Sequence, residues 1–158
     1  MKNKWVILLF LGSIPVGQDI IGEGLYEDEL IEFLRENYLT STTLGYTNAR
    51  DTMYLQIDRI DGQVKGIYTN YAVDLPNTGV DPSTHLYENG MNCEHVWPRS
   101  MYEGDEPMKS DMHALRPCKD NVNSARNNKP FNEIVDAETI TWYWQDSQTS
   151  SIPSSNID

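Results

Sequence analysis

The chain opens with a short charged stretch, Met1 to Lys4. An apolar run from Trp5 to Leu11 follows, and then small or turn-forming residues up to Gly17. The run is too short to cross a bilayer, and the order charged, apolar, small is that of a cleaved secretory signal over 1–17. From Glu27 to Tyr38 the period changes: Leu30, Phe33, Leu34 and Tyr38 recur at helical spacing, with acids in the first turn where the helix dipole favours them. This predicts an amphipathic helix over 27–38 whose stripe belongs to the core. A second helix is predicted from about Ala49 to Ile57, ended by the Asp61-Gly62 turn. Ile67, Thr69, Tyr71 and Val73 then alternate as a half-buried strand would, and Leu75 to Asn92, rich in turn formers, predicts an irregular loop. Short strands near 93–97 and 111–116, a helix near 121–128 and a strand over 139–144 complete the pattern. There is no internal repeat. The mixture predicts an α+β fold forming one domain over 18–158, long enough for one core. No other stretch is apolar enough to span a membrane, so the processed protein is expected to be soluble and either periplasmic or secreted.

Charge changes the picture. The formal net charge is −12, and losing Lys2 and Lys4 with the signal makes it −14, which argues against a simple basic nucleic-acid binder. The charge is uneven, however. Residues 18–93 hold 13 acidic and 4 basic residues, whereas residues 94–130 hold 6 of each. The acidic remainder reads as a solvated surface. Cys93 and Cys118 are the two cysteines, and an even count in an exported chain favours a disulfide between them.

The balanced segment carries the candidate chemistry. Glu94 and His95 are adjacent, so on a strand they point to opposite faces unless it ends or bends there, and Pro98 makes an ending expected. Downstream, Asn123, Arg126 and Asn127 stand at helical spacing. Phosphodiester hydrolysis needs an activated water, a cation to neutralise charge at phosphorus, and stabilisation of the leaving oxygen. Histidine titrates near neutrality and can take the water's proton. Glu and Asn oxygens suit hard cations such as Mg²⁺ or Ca²⁺, and arginine grips phosphate. Arg99, beside the first motif, is a candidate phosphate ligand.

Three ordered blocks go further: Glu94-His95-Val96-Trp97-Pro98, then Asp111-Met112-His113-Ala114-Leu115-Arg116-Pro117, then Asn123-Ser124-Ala125-Arg126-Asn127-Asn128. Together they resemble the bacterial endonuclease I family of secreted and periplasmic nucleases, within the His-Me finger (ββα-metal) superfamily. The likeness is densest over 92–131 and extends diffusely over about 44–75. It implies a ββα finger in which His95 is the general base and Glu94 and Asn123 hold one ion, Mg²⁺ or else Ca²⁺ or Mn²⁺. It implies further that Asp111 and His113 support the second strand, and that Arg126 and Asn128 brace the helix or contact phosphate. The expected reaction is sequence-tolerant cleavage of DNA, and of RNA, by a monomer. Family members continue beyond the point where this chain stops, so a shortened C-terminus is expected.

A different class of function is also consistent with the residue types. Cys93, His95, His113 and Cys118 are the ligand types of a structural zinc knuckle, which would make the chain a non-catalytic module. His85 reads as a solvated loop residue. Trp142, Tyr143 and Trp144 read as packing rather than as a base-stacking platform.

Overall fold

The computed structural model describes residues 20–39 and 42–154, and the signal expected over 1–17 lies outside the described residues. The chain divides into two units, Met1–Leu39 and Thr40–Asp158. In the first, helix α1 spans Glu27–Tyr38, as its periodicity predicts. Its stripe is not core: no residue of α1 is buried, and Leu34 and Tyr38 are 39% and 57% exposed. Leu30 and Phe33 are half-buried against the turn at Gly22. Helical spacing specifies a face but not a partner for it.

In the second unit, α2 (Tyr46–Thr52) runs without a break into a wider helical turn over Met53–Ile57. The predicted second helix is therefore present, with its start at Tyr46 rather than Ala49. Ala49, Met53 and Tyr54 form its buried face. Strands β1 (Arg59–Ile60), β2 (Gln63–Lys65) and β3 (Ala72–Asp74) form an antiparallel sheet in that order, with Val64 opposite Val73. Of the strand expected through Ile67, Thr69, Tyr71 and Val73, only the end at Val73 forms, within β3. Gly66 N–H bonds to the Tyr71 carbonyl and Asn70 N–H to the Gly66 carbonyl, so 66–70 is a turn.

The loop expected over 75–92 contains a helix, α3 (Pro82–Glu88). Asp81 caps it by accepting the Thr84 N–H at 2.7 Å, and Pro82 occupies the first turn, where its missing N–H costs nothing. Strand β4 (Met91–His95) pairs antiparallel with β5 (Leu115–Lys119), from Met91 opposite Lys119 to His95 opposite Leu115. β5 passes directly into α4 (Asp120–Arg126), completing a ββα unit. The second strand was expected over 111–116. It begins later because Asp111 makes a turn: its carboxylate accepts the His113 N–H, and its carbonyl accepts from Ala114 and Leu115. Beyond α4, β6 (Trp142–Trp144) and β7 (Ser147–Thr149) form a hairpin where one strand over 139–144 was expected. Lys119 Nζ anchors the hairpin by donating to the carboxylate and carbonyl of Asp146.

The ββα unit has two unlike faces. Met91 and Leu115 are fully buried in a core shared with Ala49, Met53, Tyr54, Val64, Val73, Leu75 and Leu86. Each such side chain contributes roughly 1.5–3 kcal/mol, so this face anchors the strands. The other face presents Asn92 and Glu94 to α4. The register also places the cysteines. Cys93 opposes Pro117 and Cys118 opposes Asn92, so the two side chains lie on opposite faces of the ribbon. Both thiols are free, and the bridge expected between them is not formed.

Candidate active site

His95 is the last residue of β4, and its ring turns toward α2. It stacks on Tyr46 with centroids 5.4 Å apart and planes 23° from parallel, and Tyr102 lies tilted against it at 6.3 Å. Nε2 stands 3.0 Å from the backbone carbonyl oxygen of Lys109. A carbonyl only accepts, so Nε2 carries the proton and the neutral ring keeps its lone pair on Nδ1. Burial, His95 being 7% exposed, lowers its pKa below the ordinary 6.5; the hydrogen bond to Lys109 opposes this, and the charges of Arg99 and Lys109 add to it. The ring is thus neutral at neutral pH.

Glu94, on the opposite face of β4, is 3% exposed. Its Oε1 accepts a hydrogen bond from the Tyr68 hydroxyl at 2.7 Å and lies 3.4 Å from Arg126 Nε. Burial raises its pKa, against the lowering effects of Tyr68 and Arg126. Asn123, on α4, donates Nδ2 to Asn92 Oδ1 at 2.7 Å and to the Cys93 carbonyl at 3.2 Å. Because that carbonyl can only accept, the amide orientation is fixed, and Oδ1 is turned away from the strand.

Glu94, His95 and Asn123 all line one polar cleft of about 430 Å³, with Arg99 on its wall. Because the strand ends at His95, adjacent residues that leave β4 on opposite faces still border the same space. One carboxylate and one amide oxygen fit a hard divalent cation that keeps most of its waters.

The remaining predicted residues fall into place unevenly. Arg126, expected to brace the helix or contact phosphate, has its guanidinium held by the protein. Nη2 donates to the Val96 carbonyl at 2.7 Å and Nη1 to the Asn127 carbonyl at 2.9 Å, while the group lies over the Phe131 ring. It braces α4 against the end of β4. Arg99 is exposed and has no ion pair or hydrogen bond from its side chain among the described residues. Asn128 reaches Ser100 Oγ at 3.5 Å and also lines the cleft.

Asp111 and His113 do not lie on the second strand. They pair with each other at 2.9 Å in the turn before it, with the His113 side chain 99% exposed. The zinc knuckle is not assembled, since Cys118 lies across the ribbon from Cys93 and His113 points to solvent. Among the described residues no three His, Cys, Asp or Glu side chains cluster as a metal site. Sequence reasoning missed Tyr46, Tyr68 and the Lys109 carbonyl. The first two fall within the diffuse likeness over 44–75; a backbone carbonyl leaves no mark in a sequence.

The ββα unit thus brings a histidine, a carboxylate and an amide to one polar cleft. The family model described as Endonuclease I matches residues 27–157, and the chain belongs to the endonuclease I family of nucleases. Its substrate is accordingly nucleic acid. No curated protein and no solved structure matches the chain.

Proposed function

We propose that this protein hydrolyses phosphodiester bonds of DNA, and of RNA, with little sequence preference. His95 is the general base, and Glu94 and Asn123 hold one divalent cation, Mg²⁺ first, with Ca²⁺ or Mn²⁺ as alternatives. The observation that carries this reading is the hydrogen bond between His95 Nε2 and the Lys109 carbonyl, because it leaves the lone pair on Nδ1 free in a ring that lines the cleft.

Nδ1 takes a proton from water as the water oxygen attacks phosphorus. The bond to the 3′ oxygen breaks, leaving a 5′-phosphate as the family likeness implies. A bound cation supplies charge neutralisation at the phosphate and at the departing oxygen. Arg99 grips a non-bridging phosphate oxygen, a role supported by its exposure on the cleft wall. Contacts go mainly to the backbone, so affinity falls with salt. The protein works after export, in the periplasm or the medium, as a monomer freed of its signal over 1–17.

The test is plasmid degradation by the purified protein beside His95→Ala, with Mg²⁺ or with chelator. Cation-dependent cleavage that vanishes in the variant is expected. Cleavage that persists in the variant moves the base elsewhere.

A further inference from the structure

Tyr68 lies outside the ββα unit, in the turn between β2 and β3. It reaches the site because the chain crosses β5 at a glycine. A Cβ on Gly66 would meet Lys119 N at 3.2 Å and Cys118 Cα at 3.6 Å, both backbone atoms that cannot easily move. With no side chain there, Ile67 N–H bonds to the Pro117 carbonyl at 2.9 Å, and the next residue extends toward Glu94.

We infer that Tyr68 is a positioning residue for the cation ligand Glu94, its hydroxyl holding Oε1 and leaving Oε2 without a side-chain partner among the described residues. The inference rests on the assignment of Glu94 as a ligand. A carboxylate on a flexible side chain can rotate about its last bond and offer either oxygen, or both, so a defined ligand needs one oxygen held. Arg126 cannot do this alone. Its Nε is 3.4 Å from Oε1 and makes no hydrogen bond, and both Nη atoms are engaged with backbone carbonyls. Among the described residues Tyr68 is therefore the side-chain hydrogen-bond donor to this carboxylate, beside the backbone N–H of His95. Its own ring is fixed by Phe131, whose centroid is 6.0 Å away and whose ring also carries the Arg126 guanidinium at 4.9 Å. Tyr68, Phe131, Arg126 and Glu94 thus close a ring of contacts behind the ligand.

The experiment compares the full chain with Tyr68→Phe and Glu94→Gln, measuring Mn²⁺ binding by calorimetry and cleavage against Mg²⁺ concentration. Tyr68→Phe keeps the ring and removes only the hydroxyl, and melting in chelator checks that it stays folded. Its Mn²⁺ affinity is expected to fall by about 10–100-fold, the usual effect of losing a group that orients a metal ligand. The Mg²⁺ needed for half-maximal cleavage rises by the same factor, while the rate at saturating Mg²⁺ is largely retained. Wild-type Mn²⁺ affinity in Tyr68→Phe, with affinity lost in Glu94→Gln, overturns the role of Tyr68 and leaves the ligand assignment standing. Wild-type affinity in Glu94→Gln removes the ligand assignment, and the role of Tyr68 with it.

Discussion

His95 Nε2 and the carbonyl oxygen of Lys109 stand 3.0 Å apart, joining the end of β4 to a turn fourteen residues further on. The bond selects the tautomer that has Nδ1 free, and it is made by backbone, not by the lysine side chain. His95→Ala should lose about 10²–10⁴-fold in kcat, the usual contribution of a general base. Lys109→Ala, which keeps the carbonyl, should retain most activity. Plasmid nicking by the two variants separates these outcomes, and equal losses in both would place the effect in the lysine side chain.

The depressed pKa of His95 sets an acid limit. Its base form is the deprotonated one, and burial, the largest cause, moves the pKa below 6.5. Activity is then full at neutral pH and falls only as pH drops through that lower value. A profile of kcat/KM against pH in the free enzyme should show its acid midpoint below 6.5. A midpoint at or above that value would contradict the burial argument.

What the sequence displayed of this site was its chemistry, and what it hid was its geometry. Glu94, His95 and Asn123 could be named because reactive side chains and their order are visible as letters. The ββα order was legible too, but the second strand was displaced, because alternation at Asp111, His113 and Leu115 imitates a strand where an aspartate turn stands. The same imitation occurs at Ile67 to Tyr71, where Gly66 and Asn70 close a turn. Helix α3 was the reverse case: Asp81 and Pro82 signal its start, yet the surrounding turn formers mask its length. Tyr46 and Tyr68 were hidden because their roles depend on packing partners distant in the chain, His95 and Glu94.

Arg99 and Arg126 look alike in sequence and should behave differently. Arg99 is exposed at the cleft with no side-chain partner among the described residues. Arg99→Ala should therefore weaken substrate binding uniformly across sequences and reduce the slope of log affinity against log salt by about one. Thermal stability in chelator should not change. Binding of a noncleavable oligonucleotide analogue over a salt series measures both the affinity and the slope, and an unchanged slope would remove Arg99 from the phosphate contacts.

Arg126→Ala should act on stability first. It removes the cation beside the buried Glu94 carboxylate and the donors to the Val96 and Asn127 carbonyls. Leaving a buried charge without its partner typically costs about 3–5 kcal/mol. Lysine cannot replace the forked contact, so Arg126→Lys should restore only part of the loss. Urea unfolding in chelator reads the difference, and wild-type stability in Arg126→Ala would show that the brace is dispensable.

The cysteines give a test of the strand register itself. Cys93 and Cys118 sit one position out of step across β4 and β5, on opposite faces, so closing a disulfide between them would require a slipped pairing. A slip by one residue would also exchange the faces of Glu94 and His95 and dismantle the cleft. Burial, the first cause in each case, pushes the Cys93 thiol up to about 11 and the Cys118 thiol up to about 12. Both therefore remain protonated and slow to alkylate at neutral pH. Iodoacetamide followed by mass measurement should find both thiols unmodified in the native protein and both modified after denaturation without reductant. A denatured chain that takes up no label would mean that the bridge exists, and that β4 and β5 pair in a register different from the one that holds Glu94 toward α4 and His95 toward α2.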